Sequence, residues 1–274
     1  LNLSHPAELR RFLTRHGISA DKSLGQHFLC SDSVVEAMVE RVADLGGILE
    51  IGPGPGILTT HLAAWDRRLI ALEVDGRMIS ALKESAPYAD VRHADALQTD
   101  FSELLRELPE PRGIVGNLPY YITGPLVDRV AEARASFSIA VLMMQKEVAD
   151  RIAAPPLDAA RGSLSVYLQA LFEIEVVVQV PQTAFEPPPK VKSTVLEFRP
   201  RLGFEIADSV FRLVRLGFAQ PRKTLANNLA SGLKIDRAKV SETLEAVGLR
   251  PDARPHMLTL AEWVWVAQLL EQAG

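Results

Sequence analysis

The residues able to do chemistry stand at the ends of short apolar runs. Ile48-Leu-Glu-Ile51 stops at Gly52-Pro-Gly-Pro-Gly56, a turn whose glycines let the backbone bend sharply and allow a ligand to lie against it. Pro53 and Pro55 remove two N–H donors, a poor arrangement for cradling a pyrophosphate. Ile57 also stands where a nicotinamide fingerprint wants a third glycine or alanine. A ligand without phosphate fits better. Arg68-Leu-Ile-Ala-Leu-Glu-Val74 brings Glu73 to the spacing at which an acid accepts from ribose hydroxyls. Asp90-Val-Arg-His-Ala-Asp95 ends in another acid, and Gly113-Ile-Val-Gly-Asn-Leu-Pro-Tyr120 ends in Asn-Leu-Pro-Tyr. Taken singly, an acid at a strand end is often a helix cap, and such a tetrapeptide is more often a turn. Their order along one chain makes them a candidate site.

Those residues need a scaffold, and the apolar pattern supplies one. Strands and helices alternate from Ile48 to about Ile152, which predicts a mostly parallel sheet covered on both faces. Ser138-Ile-Ala-Val-Leu-Met-Met144 reads as its fifth, central strand. Phe172–Val180 and Ser193–Phe198 read as an antiparallel pair closing the sheet, with a Pro-rich loop between them. Residues 5–16 read as a basic helix through Leu9, Phe12 and Leu13, and Ser33-Val-Val-Glu36 as a capping box opening another. Composition shifts after Arg199-Pro-Arg-Leu-Gly203, and the chain beyond it reads as helical. Trp263 and Trp265 cannot share one helix face, so one of them is expected to be partly exposed, with packing favoured over base stacking for both.

With these motifs in place, the chain resembles S-adenosylmethionine-dependent methyltransferases of the adenine-N6 class. More closely, it resembles the ribosomal RNA adenine dimethyltransferases. Ser23-Leu-Gly-Gln-His-Phe-Leu29, Gln145-Lys-Glu-Val148, Phe185-Glu-Pro-Pro-Pro-Lys-Val191 and Gln220-Pro-Arg-Lys-Thr224 extend the match in family order over nearly the whole sequence. The resemblance implies an α/β fold: a Rossmann-like methyltransferase sheet with a small all-helical C-terminal domain. Residues 1–202 would bind S-adenosylmethionine and carry catalysis, and residues 203–274 would recognise RNA. The loop through Gly25 would lie over the cofactor, with Gln26, His27 and Leu29 at the matching positions. His27 replaces a residue that is commonly Asn in the family, and its imidazole could add pH dependence. Gly52 and Gly54 would approach the methionine portion, Glu73 the ribose and Asp95 the adenine amino group.

The resemblance also assigns the reacting end. Adenine N6 is a poor nucleophile because its lone pair is delocalised into the ring. The Asn117 side-chain oxygen and the Leu118 carbonyl would accept from its hydrogens. Pro119 would stiffen the segment, and Tyr120 would offer a stacking face. Phe185 would form the second wall of the base slot, although by its residues alone it reads better as a core anchor. Lys190 would meet a flanking phosphate, and Arg222 and Lys223 would face RNA from the second domain. Pro221 departs from a family position that is often Arg. The substrate implied is a pair of neighbouring adenosines in a hairpin loop near the 3′ end of small-subunit ribosomal RNA, with the immature small subunit as partner. Two alternatives share these motifs: a large-subunit RNA dimethylase conferring antibiotic resistance, and an assembly or transcription factor of the same fold. A nicotinamide dehydrogenase is disfavoured by the glycine spacing.

Length and charge bound these readings. At 274 residues the expectation is about two domains. The single cysteine, Cys30, excludes an internal disulfide and suits a reducing compartment. No apolar run approaches the roughly 18 residues needed to cross a bilayer. A cytoplasmic monomer without a metal is expected. The net charge of −4 sits awkwardly with RNA binding, but Gln182–Lys223 carries eight basic residues against four acidic ones, a local basic footprint.

Overall fold

The computed structural model of the chain describes residues 2–20, 26–64, 67–203 and 206–272. Ser23-Leu-Gly25 of the first motif lies outside the described residues. The apolar runs become strands β1 (Phe28–Leu29), β2 (Gly47–Ile51), β3 (Arg68–Glu73), β4 (Asp90–His93), β5 (Arg112–Asn117), β6 (Ile139–Gln145), β7 (Phe172–Val180), β8 (Phe185–Glu186) and β9 (Ser193–Pro200). Seven of them form one sheet in the order β4-β3-β2-β5-β6-β9-β7. The pairs among β4, β3, β2, β5 and β6 are parallel, and β9 runs antiparallel to β6. From β2 the chain steps outward through β3 to β4, then returns to build β5 and β6 on the other side. The strand order therefore reverses between β2 and β5, and loops leaving that point diverge to leave a crevice. β2 is buried along its whole length and β6 along all but its last residue, so their runs are apolar rather than alternating.

The helices around the sheet follow from their apolar stripes. α1 (Pro6–Arg15) starts with proline at its first position and buries Leu9, Phe12 and Leu13. α2 (Asp32–Glu40) corrects the expected capping box. Ser31, whose backbone is extended (φ −143°, ψ 114°), occupies the N-cap, and Ser33 lies inside the helix, which buries Val34, Val35, Met38 and Val39. α3 (Ile57–Ala63) leaves the glycine turn directly, and α4 (Gly76–Ser85) is capped by Asp75, whose side chain accepts from the Arg77 N–H. α5 (Phe101–Arg106), α6 (Thr123–Glu132) and α7 (Lys146–Ala153) complete the alternation. The two short strands β1 and β8 pair with each other, Leu29 opposite Phe185, and clasp the N-terminal loop to the Pro-rich one.

The chain divides into two compact units, Leu1–Ala149 with Glu173–Pro200, and Asp150–Phe172 with Arg201–Gly274. The return at Arg201 falls close to the composition boundary. The excursion at 150–172 falls within the first domain expected from the sequence. It joins the second because α8 (Ser163–Leu171) places Val166 in that unit's core and Tyr167 edge-on to Phe211. The rest of that core comes from α9 (Asp208–Gly217), α10 (Leu225–Leu233), α11 (Arg237–Ala246) and α12 (Leu260–Gln272), with Leu258 just ahead of α12. Trp263 is buried among them, whereas Trp265, two residues on, is 53% exposed. Among the described residues no helix is long and apolar enough to cross a membrane.

Candidate active site

A cleft opens at the carboxyl ends of β2, β3 and β5. It is lined by the expected ligand side (Gln26, His27, Leu29, Gly52, Gly54, Glu73 and Asp95) and by Asn117, Leu118, Pro119 and Tyr120 facing it. Register brings the two sides together, because Ile51 pairs with Gly116 and with Leu72, so the residues that follow leave adjacent strands at the same level. Gly52 and Gly54 both have left-handed backbones, with φ of 67° and 56°, which explains why the turn needs glycine there.

Glu73 is held by the turn it faces. The Gly54 N–H donates to its Oε2 at 2.9 Å, and the Asp75 N–H donates to its Oε1 at 2.8 Å. Burial raises the Glu73 pKa, and these backbone donors pull the other way. Both oxygens keep further acceptor capacity. Asp75 is tied to Arg77, whose guanidinium holds its carboxyl down at about 2, and it accepts from the Gln26 side chain at 2.9 Å. Gln26 is thus fixed to the rim by an acid that sequence reasoning did not single out. Asp95 is exposed, and its Oδ1 accepts from the Leu97 N–H at 2.9 Å. Asp95 thus closes a turn and caps no helix, and its Oδ2 is left for a ligand.

On the facing side, Asn117 ends β5 and its side-chain N–H donates to the His27 carbonyl at 3.5 Å, which leaves Oδ1 as an acceptor in the cleft. Leu118 is buried, with its N–H donating to the Met143 carbonyl at 2.9 Å. Tyr120 opens a short 3-10 turn after Pro119. The His27 ring stacks on it with centroids 5.8 Å apart and planes 28° from parallel, and His27 Nδ1 lies 2.8 Å from the Pro187 carbonyl oxygen. His27 therefore contacts the expected base side as well as lining the ligand side.

Phe185 is not brought to the cleft. It is 2% exposed, packs in the core and is absent from the cleft lining. The physical reason is the β1–β8 pairing: strand geometry turns Phe185 into the apolar cluster that also contains Phe28, Leu29 and Ala184. Lys190 is exposed in the first unit, and Arg222 and Lys223 are exposed in the second, just ahead of α10. Asn228 holds that approach, its buried amide donating to the Gly217 carbonyl at 2.6 Å and to the Gln220 carbonyl at 3.0 Å. Within the basic segment, Arg199 is paired with the buried Glu197.

Two more cleft residues escaped the sequence reading. Glu50 is 1% exposed, its Oε2 has no hydrogen-bond partner, and burial pushes its carboxyl up to about 8. The signal was in plain view as the one charge in an otherwise apolar strand. Tyr121, which follows Tyr120, is exposed at the cleft lining.

A parallel sheet with a glycine turn, a ribose-spaced acid and Asn-Leu-Pro-Tyr around its reversal point defines a Rossmann-like methyltransferase of the S-adenosylmethionine-dependent class. Residues 17–270 match the family described as ribosomal RNA adenine dimethylase. The ribosomal RNA small subunit methyltransferase A of Geobacillus thermodenitrificans is 37% identical over 98% of this chain and 97% of its own length. That of Bacillus thuringiensis is likewise 37% identical over 98% and 97%. Among solved structures, the 23S rRNA methyltransferase ErmE aligns with a TM-score of 0.69 at 28% identity, covering 89% of this chain and 100% of its own. A dimethyladenosine transferase from Plasmodium falciparum shares the fold, with a TM-score of 0.75 at 24% identity, over 90% of this chain and 98% of its own. The chain belongs to the ribosomal RNA adenine dimethylase family.

Proposed function

We propose that this protein transfers methyl groups from S-adenosylmethionine to N6 of two adjacent adenosines near the 3′ end of small-subunit ribosomal RNA, giving N6,N6-dimethyladenosine. The observation that carries the reading is the meeting of Glu73 and the glycine turn with Asn117-Leu-Pro-Tyr120 across one cleft. The small-subunit choice over the large-subunit alternative is supported by relatives of 37% identity along nearly the whole chain that bear the small-subunit name.

The cleft fits the cofactor. Its turn carries prolines where a phosphate would need donors, and its strand-end acid is presented by two backbone N–H groups. When bound, the cofactor supplies an electrophilic methyl on a sulfonium. Glu73 accepts from the ribose hydroxyls, and Asp95 from the adenine amino group. Asn117 Oδ1 and the Leu118 carbonyl accept from the target N6 hydrogens, favouring a more pyramidal nitrogen with an available lone pair. Pro119 holds those acceptors in place, and Tyr120 aligns the base by stacking. Lys190, Arg222 and Lys223 contribute phosphate contacts that position the RNA. The protein acts in the cytoplasm, as a monomer, on the immature small subunit.

The test supplies labelled S-adenosylmethionine with small- and large-subunit RNA from an unmethylated source and maps the labelled nucleotides. Dimethyladenosine confined to the two small-subunit positions is expected. Label only in large-subunit RNA, or none in either, would overturn the reading.

A further inference from the structure

Tyr120 is anchored at its far end by a residue that no role has yet been given. Its hydroxyl shares a hydrogen bond of 2.8 Å with the Ser193 hydroxyl. Ser193 is fully buried, opens β9 and pairs with Gln145 at the end of β6. Among the described residues neither hydroxyl makes a second hydrogen bond.

We infer that Ser193 is a positioning residue for base capture: through the Tyr120 hydroxyl it fixes the plane of the ring on which the target adenine stacks. The inference rests on the proposed adenine methyltransferase function.

The three-residue turn Tyr120–Ile122 holds the backbone but leaves two side-chain torsions, χ1 and χ2, to be set by contacts. Stacking depends on the approach of ring planes, so a ring free about those torsions presents its face only part of the time. Ser193 sits on a strand hydrogen-bonded into the sheet, which makes it a rigid anchor. The partial stack of His27 on the same ring adds a second restraint. Burial raises the Tyr120 phenol pKa, outweighing the opposite pull of the Ser193 bond, so the hydroxyl keeps its proton. Ser193 lies two residues beyond Phe185-Glu-Pro-Pro-Pro-Lys-Val191. The Pro-rich region thus serves the base slot with a hydroxyl from behind, while the Phe185 ring stays in the core.

Tyr120→Phe keeps the ring but should not be neutral, because it frees the ring and strands a buried Ser193 oxygen. The experiment is single-turnover methylation of unmethylated small subunits at saturating labelled S-adenosylmethionine, using wild type, Ser193→Ala, Tyr120→Phe and the double variant. Cofactor affinity is measured in parallel. Each single change should slow methylation about 2- to 10-fold, the net worth of one hydrogen bond, with cofactor affinity unchanged. The double variant should be no slower than the slower single. A wild-type rate for Ser193→Ala, or losses that multiply in the double variant, would overturn the inference and leave the proposed function standing. Should Ser193→Ala fail to fold, Tyr120→Phe alone decides, and a wild-type rate overturns the inference. Absence of adenine methylation by the wild-type protein would instead refute the function and the inference together.

Discussion

The Gly54 N–H donates to Glu73 Oε2 at 2.9 Å, so the glycine turn and the strand-end acid form one structural piece. A substitution at Glu73 therefore does two things. It removes the acceptor for the ribose diol and releases the N–H groups of Gly54 and Asp75 from their shared partner. Glu73→Ala should weaken binding of S-adenosylmethionine and of its demethylated product by about 1.5–3 kcal/mol, the scale of charge-assisted hydrogen bonds. Calorimetric titration reads this directly. Unchanged affinity for both compounds would remove Glu73 from the ligand site.

Asn117 should act on turnover rather than on binding. Asn117→Ala leaves the glycine turn, Glu73 and Asp95 in place but deletes the Oδ1 acceptor. Single-turnover methylation should fall roughly 10²-fold or more, as when one transition-state hydrogen bond is lost, while RNA binding survives and cofactor affinity drops only modestly. A near-wild-type rate would reduce Asn-Leu-Pro-Tyr to a strand-ending turn.

Charge in the second unit should govern RNA affinity without touching the cofactor. Arg222 and Lys223 are exposed before α10, and replacing both by alanine should weaken RNA binding and flatten its dependence on salt, each lost phosphate contact lowering the slope by about 0.7–0.9. The check is RNA affinity measured across a salt series, beside a cofactor titration. An unaltered slope would assign RNA contact elsewhere.

Glu50 predicts a pH effect on the ligand-free protein. Its carboxyl is raised from 4.5 to about 8 by burial, so between those values the folded state holds a proton that the unfolded state releases. The stability this gives is complete below about pH 4.5 and is lost as pH rises through about 8. Glu50→Gln removes this dependence and should raise the melting temperature most above pH 8, where wild type must bury a charge. Thermal unfolding at pH 6 and pH 9 compares the two proteins. Parallel losses in both would show that Glu50 does not titrate in this range.

What the sequence determined by itself is local: where strands end, which turns need glycine, and which residue types stand at those ends. Alternation of Ile48–Ile51, Arg68–Val74 and Gly113–Asn117 with helical segments sufficed for a parallel sheet, because periodicity and breakers are properties of neighbouring residues. The order of motifs along the chain sufficed for the family. What depends on distant residues had to come from the tertiary structure. Pairing of Leu29 with Phe185 turns that ring into the core, where its residues alone pointed and the resemblance did not. A core formed with Val166 carries α8 into the second unit, although its segment sits between strands of the first. Tyr120 meets Ser193 across 73 positions of sequence. No local pattern encodes such a meeting, because it follows from the strand register and packing that bring the start of β9 beside the turn after β5.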